Sequence, residues 1–139
     1  MKKTFPHNLS FRIYTHSTGA FTQQSDLETA REDFGMIIYD NMILAIGGDI
    51  SAFKIDQVDQ FDRAMGQWSD NANMILDTGL SHLCMLTLDD KNLYILGGKL
   101  ESNDWTDEIS MFNATDRWNP VWGKTLADAY NKPACLIVY

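Results

Sequence analysis

A six-residue stretch of this 139-residue chain returns after an offset of fifty residues, and that recurrence limits the possible folds more than any other feature. Ile43-Leu44-Ala45-Ile46-Gly47-Gly48 comes back as Leu93-Tyr94-Ile95-Leu96-Gly97-Gly98. Trp68 returns as Trp118 at the same offset, and Met36-Ile37-Ile38-Tyr39 finds a counterpart twice as far on, at Leu136-Ile137-Val138-Tyr139. Upstream, Phe11, Tyr14 and Phe21 keep the mutual spacing of Val58, Phe61 and Trp68. A period of this length marks a stacked or ring-forming repeat architecture, in which each unit needs its neighbour to bury an apolar face. The copies run approximately 9–30, 31–80, 81–130 and 131–139, within one domain spanning 1–139.

The local pattern inside a copy is β. Short apolar segments rich in Ile, Leu, Tyr and Phe are separated by turn-forming residues such as Asp40-Asn41 and Asp89-Asp90-Lys91-Asn92. The pattern predicts four strands per copy, near 34–39, 43–47, 55–62 and 67–75, then near 82–88, 92–97, 107–113 and 117–123. Strands near 9–15 and 21–27 precede these, and one near 133–139 follows. Residues 24–33 have some helical propensity, which the repeat context is expected to override.

The glycine pair, an aromatic a dozen or so residues later and a tryptophan beyond it resemble the kelch repeat. Here they are Gly47, Gly48, Phe61 and Trp68, then Gly97, Gly98, Phe112 and Trp118; Arg31 and Gly35 fall where kelch repeats often carry Arg and Gly. The resemblance implies an all-β fold of kelch-type β-propeller blades, one four-stranded blade per repeat around a central channel. The glycines suit a backbone conformation closed to residues with a Cβ, and the aromatic pair suits packing within a blade. These eight residues are read as structural. Departures exist: Ser81 and Asn131 stand where Arg31 should recur, and Phe21 replaces the first tryptophan.

The strands amount to about three blades, too few to close a ring of the usual four to eight. Two solutions follow. The chain is a fragment of a longer propeller, or it forms a homodimer that completes a six-bladed ring, strand 133–139 of one copy completing the blade begun by residues 9–27 of another.

Function in such folds sits in loops. The loops after the glycine pairs are long, and they carry Phe53 and Lys54 in one copy and Asn103, Asp104 and Trp105 in the other. Aromatics in polar loops often anchor interfaces, and four acids flank Trp105. The family geometry brings Arg31 toward the same surface, where it either binds a carboxylate or pairs structurally with an acid such as Glu28. Phe53, Lys54, Arg31, Asn103, Asp104 and Trp105 are therefore the candidate partner-binding residues. The resemblance implies a protein–protein interaction scaffold for a peptide or protein, and the net charge of −8 favours a basic one. The alternatives are an extracellular glycan-binding propeller and, further off, a kelch-like sugar oxidase or isomerase. No nucleophile–base pair is legible, so no catalytic residue is assigned and an enzyme is not expected.

No basic footprint argues for nucleic acid, and no apolar run is long enough for a membrane span. His7, His16 and His82 lack ligand-like spacing, and the acids of 101–108 do not follow an EF-hand loop, so no metal or cofactor is expected. Cys84 and Cys135 lie in apolar runs and read as buried small hydrophobes rather than a disulfide. Met1-Lys2-Lys3-Thr4 is not followed by an apolar core, which favours the cytoplasm; Asn8-Leu9-Ser10 and Asn113-Ala114-Thr115 fit the glycosylation pattern and leave the extracellular alternative open.

Overall fold

The structure, a computed structural model, describes residues 10–51, 53–88, 91–115 and 117–127, and it is all-β. The first strand pair is β1 (Arg12–Thr15) with β2 (Ala20–Gln23). One four-stranded antiparallel sheet then runs β3 (Gly35–Tyr39), β4 (Met42–Ile46), β7 (Val58–Asp62) and β8 (Gln67–Asp70). A small hairpin, β5 (Asp49–Ile50) with β6 (Phe53–Lys54), interrupts it between the second and third strands. A second antiparallel sheet runs β10 (Cys84–Leu88), β11 (Asn92–Leu100), β12 (Trp105–Asn113) and β13 (Arg117–Thr125), and β9 (Leu80–Ser81) pairs with the far end of β11. No helix among the described residues is long and apolar enough to cross a membrane.

Local chemistry explains the strand ends. Asp40 and Asn41 both adopt positive φ, 46° and 61°, the conformation a two-residue hairpin turn demands and these residue types tolerate. Between β7 and β8, Asp62 Oδ1 accepts the amides of Ala64 (2.7 Å) and Met65 (3.0 Å), and Gly66 closes the turn at φ 66°.

Alternation along each strand sorts the side chains onto two faces. Leu44, Ile46 and Val58 of the first sheet meet Leu93, Ile95, Phe112 and Trp118 of the second, and this buried cluster joins the two sheets. Ile43, Ala45, Phe61 and Trp68 form the opposite face of the first sheet and pack with Leu27, Phe11, Ile13 and Phe34. The aromatic pairs are cross-strand partners. Phe61 and Trp68 have ring centroids 5.2 Å apart at 55°, Phe112 and Trp118 5.3 Å at 56°, and Tyr14 and Phe21 5.0 Å at 45°.

Some expectations change. The strand placed at 67–75 stops at Asp70, because a 3-10 turn over Ala72–Met74 buries Met74 instead. The long loops are largely strand: β5 and β6 occupy one, while β11 and β12 extend to Leu100 and from Trp105 and leave a tight turn. Cys84 is disulfide-bonded, against the reading of a buried thiol, since an apolar neighbourhood says nothing about covalent pairing. Cys135, Asn131 and the strand expected near 133–139 lie outside the described residues.

Candidate functional site

The glycine pairs shape one end of both sheets. Gly47 and Gly48 have φ 61° and 110°, and Gly97 and Gly98 have φ 65° and 128°. A Cβ on Gly47 would collide with the Leu80 carbonyl, which instead accepts the Gly48 amide at 2.8 Å. The kink turns Asp49 toward Glu32, and their amides and carbonyls exchange hydrogen bonds at 2.7 and 3.0 Å. After the second glycine pair, Lys99 meets Ser81 in the same way. Glu32 and Ser81 thus hold equivalent places, one residue short of the fifty-residue offset, so Leu80 rather than Ser81 stands where Arg31 recurs.

The next residues along, Asp33 and His82, both adopt left-handed φ, 52° and 51°. His82 donates its amide to the Asp33 carbonyl at 2.8 Å, and its Nε2 lies 3.1 Å from Asp33 Oδ2. Ser81, fully buried, sets its hydroxyl 3.1 Å from His82 Nδ1. Asp33, Asp49 and His82 each bring one potential ligand atom within 4.8 Å of the others.

Lys54 ties the two kinked ends together. Its ammonium is buried, donates to Asn103 Oδ1 at 3.0 Å and lies 3.7 Å from Asp49 Oδ1. Its amide donates to Glu101 Oε2 at 2.7 Å. A buried ammonium requires such partners, because desolvation without them is expensive. The β5–β6 hairpin is therefore clamped to the β11–β12 turn. Trp105 is half-buried, edge-on to His82 at 5.6 Å, with Lys99 Nζ 5.8 Å from its ring centre. Phe53 remains 67% exposed beside the clamp, and Asp104 is exposed in the adjoining turn.

Of the six candidate residues, Lys54 and Asn103 touch directly, with Phe53 beside Lys54 in β6 and Asp104 and Trp105 following Asn103 along the chain. Arg31 does not join them. Its guanidinium is buried in an ion pair with Asp59, and it also donates to the carbonyls of Gly47 and Gln57 at 3.3 Å each. Burial lowers the Arg31 pKa, an effect opposed by Asp59. Burial likewise raises the Asp59 carboxyl above its ordinary value, opposed by Arg31 and by the amide of Gln57 at 2.8 Å. Arg31 thus fastens the chain before β3 to β7 and has no exposed face for a partner. Its acid is Asp59, not Glu28.

Comparison with protein-family models and with curated proteins gives no match. The site's meaning rests on its own geometry.

Sequence reasoning missed Asp33 and Asp49 as site residues, set His82 aside as a ligand for its spacing, and weighed Glu101 only among the acids of 101–108. They come from separate segments, and only the glycine kinks and the pairing across copies bring them together. The one available signal was that Asp33 and His82 both directly precede the apolar pairs Phe34-Gly35 and Leu83-Cys84 that open corresponding strands. A separate cleft of about 610 Å³ opens at the other end of the sheets, lined by Tyr39, Gln60, Asn71, Phe112 and Arg117 among others. Tyr39 donates its hydroxyl to the Lys91 carbonyl there at 3.1 Å, and burial raises its pKa.

Proposed function

We propose that this chain is a kelch-type propeller segment that binds a basic peptide or protein segment at its glycine-kinked end. The carrying observation is the Lys54 clamp: it makes a rigid platform of two hairpins and leaves Phe53 projecting beside the acidic turn of Glu101 and Asp104. A large exposed aromatic on a preorganised support is the usual form of an interface anchor, and flanking carboxylates steer cationic segments to it. Selection of a binder from a randomised peptide library, followed by affinity measurement on Phe53→Ala and on Glu101→Gln/Asp104→Asn, tests this. Enrichment of Lys/Arg-containing sequences and a loss of affinity of about tenfold in either variant is the expected result. Unchanged affinity in both variants removes the assignment.

The propeller reading draws support from the repeated aromatic geometry and from the way the sheets stack. The second sheet covers the first with Leu93, Ile95, Phe112 and Trp118, whose counterparts are Ile43, Ala45, Phe61 and Trp68. That counterpart face is only partly covered: Met36 is 46% and Ile38 58% exposed, and the buried Trp68 Nε1 has no hydrogen-bond partner among the described residues. A further sheet suits this face, supplied by a second copy in a homodimer or by a longer chain. Light scattering at micromolar concentration separates the two, a dimer supporting the six-bladed ring and a folded monomer opposing it.

The disulfide at Cys84 favours an oxidising compartment over the cytoplasm.

A further inference from the structure

We infer that Asp33, Asp49 and His82 form a binding site for a divalent cation of the zinc class. The inference is independent of peptide binding at Phe53. Three observations carry it. First, the donor set is two carboxylates and one imidazole, each with a ligand atom within 4.8 Å of the others. Tetrahedral zinc with such ligands holds its donors roughly 3.3 Å apart, so the atoms need only small rotamer adjustments to close on an ion. Imidazole selects zinc and its transition-metal neighbours over magnesium or calcium, which prefer all-oxygen shells.

Second, the Asp49 side chain is 12% exposed, and its Oδ1 is shielded from water without accepting a hydrogen bond among the described residues. The group facing it is the Lys54 ammonium at 3.7 Å, beyond hydrogen-bond range and already committed to Asn103 Oδ1. The oxygen is thus ion-paired with Lys54 but accepts no hydrogen bond, which keeps its lone pairs available to a metal ion.

Third, the imidazole is oriented for the role. The buried Ser81 hydroxyl sits on Nδ1 and leaves Nε2 directed at Asp33 Oδ2, 3.1 Å away. Ser81 can accept the Nδ1 proton, so that Nε2 presents a lone pair once an ion replaces the proton between it and Asp33 Oδ2; the hydroxyl stands where a carboxylate, carbonyl or water usually backs a ligating histidine. Asp33 is exposed enough to give an ion a route in, and the fourth position is left to water.

Titration of the chelator-stripped full chain with Zn2+ in a calorimeter, with Co2+ as an absorbing reporter, tests the site. One saturable site is expected, with a cobalt spectrum of low coordination number. His82→Ala and Asp49→Asn abolish it. Ser81→Ala, a positioning change, weakens it about tenfold. Phe53→Ala leaves it intact while lowering peptide affinity, which keeps the two assignments separable. Asp33→Asn, at the more exposed position, serves if the buried variants fail to fold, and it too abolishes binding. Absence of a saturable site in the wild type, or unchanged Zn2+ affinity in a folded ligand variant, overturns the inference.

Discussion

Trp118 donates its indole N–H to the carbonyl of Met74 at 2.7 Å, and so links the last strand of the second sheet to the turn that leaves the first. Trp68 holds the equivalent place in the first sheet, yet its buried Nε1 has no partner among the described residues. The two indoles share the geometry of their cross-strand Phe partners and differ in this bond, while Trp68 alone also meets Phe11 edge-on, at 5.1 Å.

Trp118→Phe strips the Met74 carbonyl of its donor in a buried setting, an unmet acceptor worth about 1–3 kcal/mol on top of lost packing. Trp68→Phe removes no such bond. Urea denaturation should therefore show Trp118→Phe the more destabilising by about 1–2 kcal/mol. Equal losses would mean that the Met74 bond contributes nothing.

Arg31 and Asp59 are the most committed charges in the described part of the molecule. Removing the guanidinium strands a buried carboxylate, so Arg31→Met should cost about 3–5 kcal/mol at neutral pH. It also removes the charge that opposes burial, so the Asp59 carboxyl should titrate still higher, which carbon NMR of that carboxyl can read. In the wild type the folded value already lies above the unfolded one. The folded state therefore binds this proton more readily, and Asp59 makes stability fall as pH rises between those two values. Asp59→Asn should abolish that part of the pH dependence.

Gly19 and Gly47 have nearly the same φ, 63° and 61°, in very different surroundings. Nothing lies within 4 Å of a Cβ at Gly19, whereas one at Gly47 strikes the Leu80 backbone. Gly19→Ala should cost about 1 kcal/mol, the conformational cost alone. Gly47→Ala should cost several times that and loosen the Asp49 and Lys54 ends of the site, readable as faster amide exchange in residues 49–57.

No described cysteine is a free thiol. A thiol reagent should find no reactive group in the native chain under non-reducing conditions, and reduction should lower the thermal midpoint. A thiol titrating at Cys84 without reductant would remove the oxidising-compartment argument.

Much of the β pattern was legible from residues 34–47, where apolar alternation and an Asp-Asn turn give an unambiguous hairpin. The expected strand fails at Ala72–Met74, whose side chains look strand-compatible, and the expected loop after Gly48 instead holds β5 and β6; in both places the deciding force is tertiary, since Met74 turns inward to its cluster and Lys54 turns inward to Asn103. Lys54, Asn103 and Trp105 could be flagged as unusual loop residues, but the Lys54–Asn103 bond and the Trp105–His82 contact could not. Arg31 leaves the partner-binding set for its structural alternative, and its acid is Asp59 rather than the neighbouring Glu28, a pairing hidden in the sequence because Asp59 is distant and reaches it only through the pairing of β4 with β7. The Asp33, Asp49 and His82 cluster had no linear signature, since two glycine kinks and a cross-copy contact assemble it.

The most direct test of the central claim is an NMR footprint of a selected basic peptide on the 15N-labelled chain. Binding at the clamped end predicts that the largest shifts fall on Phe53, Lys54, Glu101, Asn103, Asp104 and Trp105, with the far cleft at Tyr39, Asn71 and Arg117 unmoved. Shifts concentrated at that far cleft or on the exposed Met36 and Ile38 face would contradict it.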